Sequence, residues 1–302
     1  MTESTAVYRH VLVATELDHA GDVALAFGDR VARAAHAALG VVSVVTPGSL
    51  EDAASFDTRA EDRKELDHRR ALVEERVHAA TGRERHAFTG FIEMGDATDA
   101  IIGRAEAWGA DLLIVGARPH SLLARALLGS VALSLIRSAP CDVLVAREGV
   151  EGPIIAACDL AASTSEVLET ASRWSKLLGE PVVATHATEL GLSDAAALAT
   201  AVFSGVVPTT HSGDEQRAVK AAAVGALEAS MAAASLEGRA SVDAGSPADV
   251  ILAAASTNKA SLIVTGTRRL PAPARWVLGS VAERLAREAS TSVLDARPER
   301  PR

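Results

Sequence analysis

Two segments of the chain carry the residues best suited to hold phosphate oxygens. The first runs DLLIVGARPHSLLARALLGSVALSLI from Asp111 to Ile136, and the second runs SLIVTGTRRLPAPARWVLGSVAERLA from Ser261 to Ala286. In each, an apolar run ends on a glycine, Gly116 or Gly266. Thirteen residues further on, Gly129-Ser130 or Gly279-Ser280 opens a helical pattern that continues with Val131 or Val281. A strand, a loop and a helix N-terminus make a cradle for phosphate, because the first N–H groups of a helix are unpaired and a serine hydroxyl adds a donor. The same residues have a plainer use. A glycine before a helix lets it pack closely on a sheet, and a serine there caps the helix with no ligand present.

Those elements belong to a repeat. Residues 95–102, GDATDAII, align with 245–252, GSPADVIL, at the offset of 150 that relates Gly116 to Gly266. Nearer the start of each half, HVLVATE at 10–16 aligns with PIIAACD at 153–159, an offset of 143. The second half therefore carries a net insertion, placed at 188–213, a stretch rich in Ala, Ser, Thr and Gly with little periodicity. Each half alternates short β-branched runs with amphipathic stretches, the pattern of a parallel sheet covered by helices. Strands are expected at 9–15, 40–46, 86–93, 111–116 and 142–147, then at 153–158, 181–186, 239–244, 261–266 and 291–296. Helices are expected at 20–38, 59–81, 97–108 and 129–138, then at 163–178, 214–237, 247–257 and 279–288. The run Ser246-Pro247-Ala248-Asp249 reads as a helix start with a serine N-cap, while Gly40, Gly109 and Gly179 read as C-caps at positive φ. A short polar link over 147–153 joins domains expected at 1–148 and 152–298.

The 302 residues suffice for two such cores, with 48% hydrophobic and 23% charged residues. Only 3% are aromatic, so Ala, Val, Leu and Ile must fill the interior. A net charge of -9 argues against nucleic acid as a partner, and the basic tail 297–302 reads as a loose end. No apolar run approaches the roughly 18 residues that span a bilayer. The N-terminus lacks the basic flank and apolar run of a secretory signal, so no membrane and a cytoplasmic location are expected. Two cysteines, Cys141 and Cys158, lie in apolar runs as inert thiols, too few for a disulfide framework or a zinc site. The nine histidines are scattered without the spacing of a zinc protease; His10 and His186 are expected to be structural, and His120, in the first loop, is the only one expected near a pocket. The phosphate-loop NTPase, dinucleotide-binding, esterase and zinc-protease signatures are absent, and no general base stands out. No enzyme is expected, though a slow ATPase stays open.

Together these residues resemble the universal stress protein family, here as a tandem two-domain member, over nearly the whole chain. The resemblance is carried by VLVATELD at 11–18, GDATDAIIGRA at 95–105 and ADLLIVGAR at 110–118. SVALSLIRSAPCDVLVAR at 130–147 adds to it, with SVAERLAREASTSVLDAR at 280–297 as its diverged copy. It implies an α/β fold of two doubly wound five-stranded parallel sheets, each of order 3-2-1-4-5. Such domains are Rossmann-like and similar to the adenine nucleotide alpha hydrolases, with ligands at the carboxyl ends of the strands. The family's ATP-binding members carry G-x-x-G-x9-G-[ST] and an Asp at the end of strand one. In the second half Asp159, Gly266, Gly279 and Ser280 match, with Val281 adjoining. Arg269 stands at the middle glycine there; it keeps its N–H, and with Arg268 and Arg275 it offers guanidinium contacts to phosphate. In the first half Gly116, Gly129 and Ser130 match, with Val131 adjoining, while Glu16 replaces the Asp and adds a methylene toward the base. Pro119 takes the middle position, without an N–H and with φ near -65°.

The resemblance therefore implies an adenine nucleotide (ATP, ADP or AMP) bound weakly or mainly in the second domain. The ligand would act as a switch in a cytoplasmic stress-response regulator. The alternative is a ligand-independent interaction scaffold with degenerate pockets and no cofactor. Residues 142–146 and 292–296 are expected to pair edge to edge, making an intramolecular pseudo-dimer; a further homodimer and a protein partner stay open.

Overall fold

The computed structural model describes residues 8–46, 58–117, 128–149, 151–161, 163–188, 213–266 and 279–297. The first half runs β1 (His10–Ala14), α1 (His19–Ala35), β2 (Ala38–Val45), α2 (Thr58–Thr81), β3 (Thr89–Met94), α3 (Ala97–Trp108), β4 (Leu112–Gly116), α4 (Ser130–Ser138) and β5 (Asp142–Ala146). The second repeats it: β6 (Ile154–Cys158), α5 (Ser163–Leu178), β7 (Val182–Thr188), α6 (Gly213–Ala233), β8 (Gly238–Ala244), α7 (Pro247–Thr257), β9 (Leu262–Gly266), α8 (Ser280–Glu288) and β10 (Ser292–Ala296). The expected insertion falls on 189–212, outside the described residues.

The strands form one sheet of ten, ordered β3-β2-β1-β4-β5-β10-β9-β6-β7-β8, so each half has the order 3-2-1-4-5. Pairing within each half is parallel, which requires the helical crossovers that the alternating pattern supplies. Central strands must be apolar on both faces because helices cover both. Accordingly Val11, Leu12 and Val13 of β1 and Leu112, Leu113 and Ile114 of β4 are fully buried. Strand order reverses between β1 and β4, and again between β6 and β9. A crevice opens at the carboxyl ends of the strands at each reversal.

The halves join where β5 and β10 pair antiparallel, with Leu144 opposite Leu294 and Val143 opposite Asp295. Beneath α1 and α5 one apolar cluster crosses this seam, including Leu25, Phe27, Leu144, Trp174 and Leu294. Residues at equivalent positions close both ends of the pairing. The Arg147 N–H donates to Ser292 Oγ at 3.1 Å, and the Arg297 N–H donates to Asp142 Oδ1 at 2.7 Å. The Arg147 guanidinium reaches the Ala286 carbonyl in α8, and that of Arg297 reaches the Ile136 carbonyl in α4. Last-turn carbonyls of a helix lack backbone partners, so each half supplies a cationic cap to a helix of the other.

Several local expectations are corrected. The first C-cap is His36 at φ 54, not Gly40, and α1 ends at Ala35 rather than 38. Gly40 lies inside β2, where an added Cβ would come within 2.9 Å of the Trp108 ring. Gly109 and Gly179 do take positive φ, at 68° and 74°. Residues 85–87 form a 3-10 turn ahead of β3, drawn in by Arg83, which donates to the Ala87 carbonyl at 2.7 Å and pairs with Asp29. Ser246 holds the N-cap position of α7, but its hydroxyl makes no cap; it accepts from Arg284 Nη1 at 3.4 Å.

Candidate functional site

Each crevice holds a cavity, of about 700 Å3 in the first half and about 520 Å3 in the second. Both fall within the roughly 300–1,000 Å3 of small-molecule sites. The structure brings Asp159, Gly266, Gly279, Ser280 and Val281 onto the wall of the second cavity. Glu16, Gly116, Gly129, Ser130 and Val131 line the first. Pro119, His120, Arg268, Arg269, Pro271, Pro273 and Arg275 lie outside the described residues.

The two glycines of each cradle have different reasons to be glycine. A Cβ on Gly116 would lie 2.1 Å from the Ala20 carbonyl oxygen, and one on Gly266 would lie 2.9 Å from Val167 Cγ2. These glycines admit α1 and α5 against the sheet; their need is packing. Gly129 and Gly279 are the N-caps of α4 and α8, with φ of -60° and -64°, which any residue adopts. A Cβ there meets no described atom within 4 Å. The plainer reading of Gly-Ser thus fails at two points. Among the described residues the glycine serves no close packing, and neither Ser130 nor Ser280 makes a side-chain cap, because each stands one residue inside the helix. Among the described residues, what remains at each site is a helix N-terminus without a side-chain cap, an exposed serine and open space.

The acids after the first strand of each half differ more than their alignment implies. Asp159 opens α5: Oδ1 accepts from the Ala161 N–H at 2.9 Å and the Thr164 hydroxyl at 3.1 Å, and Oδ2 accepts from the Ser163 hydroxyl at 2.8 Å. In the first half this duty falls two residues later, on Asp18, whose Oδ1 accepts from the Gly21 N–H at 2.9 Å, while Glu16 is exposed. Both connections turn at a leucine of positive φ, Leu17 at 64° and Leu160 at 56°. Any ligand donor at Asp159 must share its carboxylate with donors already in place.

The walls beside these acids also diverge. At equivalent sheet positions stand Ser43, whose hydroxyl donates to the Thr15 carbonyl at 2.9 Å, and His186, whose Nδ1 lies 2.9 Å from the Cys158 carbonyl. In the first half Arg69, from α2, donates to Ser43 Oγ at 3.0 Å and to the Val44 carbonyl at 3.2 Å. Glu65 joins it on the wall, so that cavity is lined by several charged groups. Arg69 has no sequence signal, lying in a helix whose many charges read as a solvated face. His186 reads as structural by sequence, yet it belongs to the second cavity as well as to its strand. Cys158, on the same wall, is no nucleophile: burial, aided by the neighbouring charge of Asp159, pushes its thiol up to about 12. Among the described residues no group of three or more His, Cys, Asp and Glu side chains could hold a metal ion. No described helix is long and apolar enough to cross a membrane.

Two doubly wound halves joined in one sheet, each with a cavity at its strand reversal, define an α/β protein of the doubly wound class. The sequence matches the universal stress protein family over residues 7–147 and again over 152–297, and the chain belongs to that family. No curated protein matches it significantly. A universal stress protein from Archaeoglobus fulgidus DSM 4304 superposes with a TM-score of 0.66 at 19% identity, covering 97% of this chain and 99% of its own. A functionally unknown protein from Pseudomonas aeruginosa PAO1 does so with a TM-score of 0.67 at 20% identity, over 98% of this chain and 95% of its own. At these identities the likeness is one of fold.

Proposed function

We propose that the protein binds an adenine nucleotide, mainly in the second-half cavity, and acts in the cytoplasm as a stress-response regulator whose ligand is a switch rather than fuel. The observation that carries this reading is Gly279. It faces the same cavity as Asp159, and neither backbone conformation nor packing among the described residues requires a glycine there. Room for phosphate oxygens at an uncapped helix N-terminus is the physical reason that remains. Asp159, the Ser280 hydroxyl and the N–H groups of Ser280 and Val281 supply the polar contacts. In the first half Arg69 and Glu65 take up the wall, so occupancy there is expected to be weaker. Holding is the expected chemistry, and no turnover is expected.

A second reading has its own support. Asp159 is satisfied by α5 without any ligand. A scaffold with vestigial pockets would show the same hydrogen bonds. Isothermal titration of ligand-free protein with ATP, ADP and AMP decides between the two. Heat with about one nucleotide per chain supports the switch, and no heat with any of the three leaves the scaffold. Unchanged ATP after long incubation is the expected result for turnover.

A further inference from the structure

His186 and Ser43 occupy equivalent positions, and they leave different chemistry to a ligand. The Cys158 carbonyl can only accept, so the Nδ1 that lies 2.9 Å from it carries the hydrogen. In the neutral ring Nε2 is then an acceptor. No described residue hydrogen-bonds to Nε2, and the half-buried ring lies on the cavity wall. With the Nδ1 edge turned to β6, the Nε2 edge is the one a ligand meets.

The place of His186 decides which part of a ligand that is. Strand β6 lies between β9 and β7, so His186 stands two strands, about 10 Å, from Gly266. The donors of Gly279 and Ser280 follow β9 in the chain. On the His186 side the wall is mostly apolar, formed by Ala187, Val219 of α6, and Pro247 and Ile251 of α7, with Thr188, whose hydroxyl donates to the Asp243 carbonyl. A ligand with an anionic end and a flat apolar end fits this division in one direction only, with its ring system beside His186.

Resting on the nucleotide reading above, we propose that His186 is the specificity-determining residue of the second cavity. Its Nε2 accepts an N–H from an exocyclic amino group of the ring, selecting a 6-aminopurine over a 6-oxopurine. An oxo group there would set two acceptors face to face and leave both unpaired in a partly closed site. At the equivalent position the first half offers no imidazole acceptor. The Ser43 hydroxyl already donates to Thr15 and accepts from Arg69, and the Arg69 guanidinium is a donor only.

Isothermal titration of the whole chain with AMP and IMP, which differ in the substituent at position 6, tests the assignment. AMP is expected to bind at least about tenfold more tightly. In His186→Gln, whose amide offers both a donor and an acceptor, the two affinities should come within about twofold, with the thermal midpoint reporting folding. If that variant does not fold, purine riboside 5′-monophosphate on the unaltered protein gives the answer. It lacks the 6-substituent and should fall between AMP and IMP. Equal affinity for AMP and IMP overturns the assignment and leaves the nucleotide site standing. So does an undiminished preference in folded His186→Gln, or purine riboside 5′-monophosphate binding as tightly as AMP. Binding of none of them overturns the nucleotide reading and the assignment with it.

Discussion

The indole Nε1–H of Trp174, in the second half, donates to the hydroxyl of Tyr8, in the first, at 2.9 Å. Tyr8 in turn donates to Asp142 Oδ2 at 2.8 Å, and all three side chains are buried. Burial pushes the Tyr8 phenol well above its ordinary value, and the charge of Asp142 pushes it further. Tyr8 therefore keeps its proton and stays the donor. The chain of donors ends on a carboxylate in β5, whose other oxygen accepts from the Arg297 backbone at the seam. The pairing of β5 with β10 sets the register of the halves, and this relay adds a directional contact between α5 and the first half.

Tyr8→Phe tests that relay. The ring stays beside Trp174, but the indole N–H loses its acceptor and Asp142 loses one donor. A loss of about 1–3 kcal/mol is expected, read as a lower urea midpoint at unchanged m-value. A midpoint equal to that of the unaltered protein would show that the relay adds nothing to stability.

Asp295 gives the seam a pH dependence. It is 2% exposed, and neither carboxylate oxygen has a hydrogen-bond partner. Arg297 Nε lies 3.8 Å away. Burial raises its pKa to about 8, with Arg297 opposing the shift and Asp142 adding to it. The unfolded carboxyl ionises near pH 4, at about 3.9. Between the two values the folded protein holds a proton that the unfolded chain has released. The contribution of this group is therefore full below about pH 4, lost progressively as pH rises to about 8, and level beyond. In Asp295→Asn that loss disappears. The stability difference between variant and unaltered protein should grow from pH 5 to 8 and then flatten. A constant difference across urea titrations from pH 5 to 9 would refute the titration of Asp295.

Much of the fold is legible in the sequence because its signals are local. Alternating β-branched runs and amphipathic stretches mark the strands and helices in order, and the offset between Gly116 and Gly266 marks the tandem. Errors arise where a residue's reason lies far along the chain. Gly40 follows a helical run and reads as a C-cap, but Trp108 across the sheet is what forbids a side chain there. Ser130 and Ser280 read as caps because the type fits, yet the helix begins one residue too early for either to serve. The site divides in the same way. Its glycines, serines and acids stand in recognisable patterns, whereas Arg69 and His186 become wall residues only when α2 and β7 fold against β1 and β6. Nothing in the residues flanking Tyr8 and Asp142 announces their partnership.

The two kinds of cradle glycine lead to opposite expectations. At position 116 a methyl group would collide with backbone, the Ala20 carbonyl oxygen, so α1 must move as a body. Gly116→Ala is expected to cost about 2 kcal/mol or more, as overpacking does when the neighbour cannot yield. At position 279 the conformation suits alanine and no described atom crowds a methyl group, so Gly279→Ala should change stability by no more than about 1 kcal/mol. The new methyl, however, stands where phosphate oxygens would lie, and nucleotide affinity should fall by about tenfold or more. Ser280→Ala belongs with Gly279→Ala, because no cap is lost: stability near that of the unaltered protein, weaker binding. Urea unfolding and titration of the three variants separate the roles. If Gly279→Ala proved as destabilising as Gly116→Ala, with binding no worse than its stability explains, the glycine at 279 would serve the fold after all.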